Sequence, residues 1–101
     1  MIRQLRIYTI NRGKLDEFID GWTRFVHPLH LEHGFKIELA EKMAETNEFV
    51  WIVSLDGTMA DWEARQKAYY GSPERAAVDP DPARFIASTR RWFIEDRLPR
   101  R

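Results

Sequence analysis

The chain of 101 residues has no cysteine, which excludes disulfide staples, thiol nucleophiles and thiolate metal sites. It has no net charge, because sixteen basic residues balance sixteen acidic ones. Nucleic acid is therefore not expected as a partner, since phosphate binding calls for a basic excess. No apolar run approaches the ~18 residues of a membrane span, and the opening Met1-Ile2-Arg3-Gln4-Leu5-Arg6 is too charged for a secretory leader. Also missing are a glycine-rich phosphate loop, a Gly-x-Ser-x-Gly elbow and a His-Glu-x-x-His helix. There is no repeat, linker or low-complexity stretch. One cytoplasmic domain is expected, without cofactor or membrane contact and long enough for a single modest core.

What is present follows clear periods. Residues 2–10 alternate, with Leu5 and Ile7 on one face and Gln4, Arg6 and Tyr8 on the other. After the break at Asn11-Arg12-Gly13, apolar residues recur at Leu15, Phe18, Ile19, Trp22, Phe25, Val26 and Leu29. At ~100° per residue they fall within about 60° of Trp22, which predicts one long helix from Lys14 to His33. Pro28 removes a backbone donor, so a kink near Arg24–Pro28 is expected. Gly34 supplies a left-handed cap.

Phe35, Ile37 and Leu39 mark a second strand, and Glu45-Thr46-Asn47 a hairpin turn. The third strand, Glu48 to Leu55, is apolar on both sides and belongs in mid-sheet, covered twice. Beyond Asp56-Gly57, Thr58 caps a helix from Met59 to Tyr70, with Asp61 as its reciprocal partner. Its buried face is expected to hold Met59, Trp62, Gln66 and Tyr69. Gly71 stops it, Pro73 opens a short turn through Ala77, and Asp79 to Pro82 form a loop. Ile86 to Arg97 reads as a final strand ended by Pro99, with Arg97 to Arg101 as a solvated basic tail.

The order β-α-β-β-α-β predicts an α+β, ferredoxin-like plait: a four-stranded antiparallel sheet with both helices on one face. The other face, with Ile2, Tyr8 and one side each of the Phe49–Val53 and Trp92–Ile94 strands, would be bare in a monomer. Such a patch marks an interface. Two sheets packed face to face would hide it, so a homodimer through the sheet faces is expected.

The segments Leu5-Arg6-Ile7-Tyr8-Thr9-Ile10, Gly13-Lys14-Leu15-Asp16-Glu17-Phe18, Trp22, Pro28-Leu29, His33-Gly34-Phe35 and Asn47-Glu48-Phe49-Val50-Trp51-Ile52 together resemble the NIPSNAP-like family, within the dimeric α/β-barrel superfamily. A weaker match follows at Trp62-Glu63-Ala64-Arg65 and Tyr69-Tyr70-Gly71-Ser72-Pro73-Glu74. Family members often have tryptophan after that Pro-Glu, where this chain has Arg75. The resemblance implies a dimeric α/β barrel with a ligand cavity between each sheet and its helices. The superfamily includes cofactor-independent quinone monooxygenases, haem-degrading enzymes, polyketide cyclases and lactone-forming isomerases. A shared fold assigns none of these activities here.

His27, His30 and His33 recur at i, i+3 spacing but fan out, at about 140°, 80° and 20° from Trp22. They read as boundary and capping residues rather than metal ligands. His30, at the edge of the apolar stripe, is the candidate for proton transfer, since histidine titrates near neutral pH. Arg6 shares a face with Tyr8. If buried it needs an anion, from Glu38, Glu95 or another acid in the dimer centre, or from an acidic ligand. Trp22, Trp51 and Trp62 either fill the core or wall a pocket for a flat organic molecule, with Tyr69 and Arg65 at its rim.

The leading expectation is a homodimer that binds a small, aromatic or acidic organic molecule. His30 would then move a proton, Arg6 or Arg65 orient the anion, and Tyr8 and the aromatic residues line the pocket. One alternative is a cofactor-independent monooxygenase or cyclase acting on a polyphenolic or polyketide-like substrate. Another is an interaction module without a cavity.

Overall fold

The alternating segment at the start becomes β1 (Ile2–Ile10), which lies inside the sheet with partners on both sides. It pairs antiparallel with β3 (Glu48–Leu55) and with β4 (Ile86–Phe93), and β3 pairs antiparallel with β2 (Lys36–Met43). The strand order is β2-β3-β1-β4, that of a ferredoxin-like plait. A computed structural model describes residues 1–98. The expected stop at Pro99 and the last residues of the basic tail lie outside the described residues.

The two central strands carry the apolar runs, buried on the helix side and half-buried on much of the other. β4 ends at Phe93 rather than Arg97, because its partner runs out. Phe93 pairs with Gln4, and the Ile94 N–H reaches the Arg3 carbonyl beside the first residue of β1.

The helices all roof one face. α1 (Leu15–Gly21) passes through a π-helical turn (Trp22–Val26) into α2 (His27–Glu32), and Gly34 ends this run at φ +87°. The Phe35 N–H returns to the His30 carbonyl across that glycine, the six-to-one bond of a Schellman cap. After β3, α3 (Met59–Tyr70) opens with a full capping box between Thr58 and Asp61. Met59, expected on the buried face, is 39% exposed, as suits a first-turn residue beyond the sheet's edge. A short α4 (Pro73–Ala76) and a 3-10 turn (Pro82–Phe85) lead into β4.

The hairpin between β2 and β3 turns at Asn47, which adopts φ +57° and whose side-chain amide donates to the Ile10 and Asn11 carbonyls. The turn thus also fastens the end of β1.

Which face is roofed differs from expectation in one respect. Gln4, Arg6, Tyr8 and Ile10 are buried under the helices, while Leu5 and Ile7 face the other way, half-buried. Ile2 also packs on the helix side. Tyr8 and Ile2 therefore belong to the roofed face and not to the bare one. Both faces of β1 are apolar enough that alternation alone does not choose between them.

The unroofed face carries one row of paired residues, Leu39, Ile52, Leu5 and Trp92, across all four strands. Val50 and Ile7 lie beside it, and the ion pairs Arg3–Glu38 and Arg90–Glu48 flank it. Trp92 is 45% exposed. Grease at the centre and charge at the edge is the pattern of a contact surface.

Candidate functional site

Between sheet and helices the packing leaves a cavity of about 400 Å³. Trp51 is its hub. This indole, 1% exposed, meets the rings of Trp22 at 5.3 Å, His30 at 5.2 Å and Tyr8 at 5.9 Å, and carries the Arg6 guanidinium over its face at 4.8 Å. Phe18, Trp22 and Tyr69 form the walls, and Tyr70 and Arg91, both exposed, stand at the mouth. Pro82, Ala83 and residues 86–89 close the remaining side.

His30 is in the cavity because of the π turn. The His27 N–H bonds to the Trp22 carbonyl five residues back, which adds one residue to that turn. Pro28 lacks the N–H that would tie it into the ordinary i to i−4 ladder. The extra residue sets the following helix back by about 100°. His30 moves from the edge of the stripe to its centre and is 1% exposed, while Leu29 rotates out and is only half-buried.

The three histidines, all beyond the π turn, fan apart as their spacing predicts. His27 stacks on Trp22 at 5.2 Å, and His33 places Nδ1 against the Leu29 carbonyl at 2.9 Å. Among the described residues no group of three His, Asp or Glu side chains could hold a metal ion.

His30 Nδ1 lies 2.9 Å from the Val26 carbonyl. A carbonyl only accepts, so Nδ1 bears the proton and Nε2 is a bare lone pair, buried and without a partner among the described residues. Burial, with a contribution from the Arg6 charge, lowers the imidazole pKa to about 3. The expectation that His30 titrates near neutrality is therefore corrected. In the closed fold it is a neutral hydrogen-bond acceptor. Tyr69 packs on it at 4.1 Å and is pushed up to about 12 by burial, which keeps its hydroxyl protonated.

Arg6 is completely buried. Its Nε donates to Gln4 Oε1 at 2.8 Å, but both terminal nitrogens lack hydrogen-bond partners among the described residues, with Tyr8 near yet outside bonding geometry. Burial pulls its pKa below the usual arginine range. Neither expected carboxylate reaches it. Glu38 pairs with Arg3, and Glu95 lies beside Arg97.

Directly opposite Arg6 on β4 stands Arg91, whose guanidinium donates at 3.3 Å to the hydroxyls of Tyr8 and Tyr70. Among the described residues no carboxylate pairs with either arginine. A third cavity arginine, Arg75, has its charge met by a two-pronged bond to Asp81 at 3.0 and 3.1 Å, although its Nε has no partner among the described residues. The cavity therefore combines aromatic walls with two cations that have no counter-ion.

Six of the eight residues expected from the sequence line this one space: Arg6, Tyr8, Trp22, His30, Trp51 and Tyr69. Trp62 and Arg65 do not. Trp62 shares the Tyr69 face of α3 but sits about 10 Å further back along the axis, against Phe35 and Phe93. Arg65 is exposed, beside Gly34. The sequence reading missed Arg91 and Tyr70. Arg75 had a signal, the departure from a family tryptophan after Pro73-Glu74.

No protein-family model matches the chain, and no curated protein does. Solved structures do. An uncharacterized NIPSNAP domain protein from Burkholderia xenovorans superposes with a TM-score of 0.84 at 16% identity, over 99% of this chain and 100% of that one. A NIPSNAP family protein from Agrobacterium tumefaciens gives 0.84 at 16%, over 99% and 98%. An antibiotic biosynthesis monooxygenase gives 0.63 at 12%, over 98% and 100%. The chain thus has the ferredoxin-like fold of the NIPSNAP-domain proteins, one that also carries a monooxygenase.

Proposed function

We propose that this chain is a NIPSNAP-like protein of the cytosol, a homodimer built through its unroofed sheet faces, which binds a small aromatic or acidic organic molecule in the cavity under its helices. The carrying observation is Arg6 opposite Arg91, two cations on neighbouring strands without a carboxylate between them. Like charges directly opposed across a sheet destabilise it, and a buried charge without a partner costs more still. An anionic ligand relieves both. The volume of about 400 Å³ lies at the lower end of the range for small-molecule sites and suits one or two rings.

In this reading Arg6 and Arg91 orient the acid, Trp22, Trp51, Tyr8 and Tyr69 hold the ring, and His30 contacts the ligand through Nε2. A thermal-shift screen of small aromatic acids tests it, because a ligand bound only by the folded state adds about 2.7 kcal/mol at a hundred times its dissociation constant. Hits confined to acids support the reading, and a screen in which no acid shifts the transition defeats it.

A second reading, cofactor-independent oxygenation or cyclisation of a polyphenolic substrate, is favoured by the likeness to the monooxygenase. It predicts oxygen uptake with candidate quinols, lost in His30→Ala.

A further inference from the structure

The unpartnered atoms around the cavity differ in kind, and that difference specifies the ligand more closely. This step rests on the reading that the cavity holds an aromatic acid. The Arg6 terminal nitrogens, Arg75 Nε and the indole nitrogens of Trp22 and Trp51 are buried donors without acceptors among the described residues. His30 Nε2 is the opposite: its proton is committed to Nδ1 by the Val26 carbonyl, so Nε2 can only accept. His30 is 1% exposed and lines the cavity, and no group of the described residues hydrogen-bonds its Nε2.

We infer that the ligand is an aromatic carboxylate carrying a phenolic hydroxyl, with the acid group on Arg6 and the hydroxyl donating to His30 Nε2. An acid alone satisfies the donors and leaves Nε2 bare. A cationic donor group on the ligand is disfavoured, because Arg6 and Arg91 already charge the space. A phenol O–H is a neutral donor carried directly on an aromatic ring, and it is the one assigned here. Both groups flank one indole, since Arg6 lies over Trp51 and the His30 ring meets it edge-on. A flat ring lying along Trp51 can therefore present its two substituents to the two residues.

A site built around a hydroxyl discriminates against the analogue lacking it, because its own buried acceptor is then left unpaired. Calorimetric titration of the intact protein with matched sets tests this: 3- and 4-hydroxybenzoate and 6-hydroxy-2-naphthoate, each against its methoxy and unsubstituted counterpart. At least one hydroxy acid is expected to bind tenfold or more tightly than both of its counterparts.

His30→Phe, which keeps a ring and removes the acceptor, is expected to abolish that preference, so that the hydroxy acid binds no more tightly than its methoxy and unsubstituted counterparts. His30→Gln, which can accept, is expected to retain part of it. In the wild-type protein the ¹⁵N resonance of His30 Nε2 should move with the hydroxy acid and stay in place with the methoxy acid, a readout that does not depend on any variant folding. Equal affinity for hydroxy, methoxy and unsubstituted acids, or an unmoved Nε2 resonance, overturns the inference while acid binding stands. If no aromatic acid of any kind binds, the underlying reading fails and the inference falls with it.

Discussion

Arg6 and Arg91 occupy directly opposed positions on β1 and β4, both on the helix-covered side of the sheet and both lining the same cavity. Side chains so placed have Cβ atoms about 5 Å apart, and proteins seldom leave two like charges there without a carboxylate. Arg75, at another wall, has its Asp81. The opposed pair has no such carboxylate among the described residues, and in the proposed function an anionic ligand supplies one.

Removing one member of the pair should therefore trade binding for stability. Arg6→Met deletes a buried charge and keeps most of the packing over Trp51, at the expense of Gln4's bond to Nε. The unliganded variant is expected to gain about 1 kcal/mol, or about 4–8 °C in Tm for a domain of this size. Calorimetric unfolding of both proteins without ligand checks this, and a lower Tm for Arg6→Met would show that Arg6 is a structural residue.

The pH dependence of stability follows from His30. Its ordinary pKa is 6.5 and its folded-state pKa about 3. Between those values the unfolded chain binds a proton that the folded chain refuses. Stability from this group is thus complete above pH 6.5 and lost as pH falls toward 3, by up to about 1.4 kcal/mol per pH unit. His30→Gln should lack this component. Urea unfolding from pH 7 to 4 is expected to show a shallower decline for the variant than for the wild type, and parallel curves would contradict the assignment.

Gly34 is a simpler case. Its φ of +87° favours glycine, and a Cβ there would meet only the Arg65 guanidinium, at an ordinary 3.5 Å. Gly34→Ala should therefore cost backbone strain alone, about 1–2 kcal/mol. Urea denaturation gives the number, and a neutral result would mean that the cap after α2 relaxes.

The row Leu39, Ile52, Leu5 and Trp92 is the proposed dimer contact, with Ile52 on a central strand. Ile52→Glu places a charge in its middle and should turn a dimer into a monomer at micromolar concentration, with the dissociation constant raised at least a hundredfold. Light scattering on both proteins decides it. A wild-type monomer would remove the dimer from the account.

Much of the fold was legible because periodicity and punctuation agreed. The stripe from Leu15 to Val26, the cap at Gly34, the Thr58–Asp61 box and the doubly apolar β3 each carry their own local signal. The site was legible only in part. Trp51 lies on a strand whose alternation sets it beside Phe49 and Val53, whereas Arg6 shares the face of Tyr8, which the sequence assigns to the bare side, and His30 depends on one extra residue in a π turn that a fixed 100° step does not contain. Arg91 depends on strand register, which no local pattern in residues 86–93 reveals. Trp62 was misplaced because sharing a helix face with Tyr69 says nothing of distance along the axis. Tyr8 was put on the bare face because both sides of β1 are apolar.

The central claim is that the paired arginines recognise an acid, and titration of 2-naphthoate and its uncharged carboxamide into wild-type protein and Arg6→Met tests it most directly. The account predicts that the carboxylate binds wild-type protein at least a hundredfold more tightly than the amide, and that Arg6→Met erases most of the difference. Equal binding of acid and amide, or a preference for the acid that survives in Arg6→Met, would contradict it.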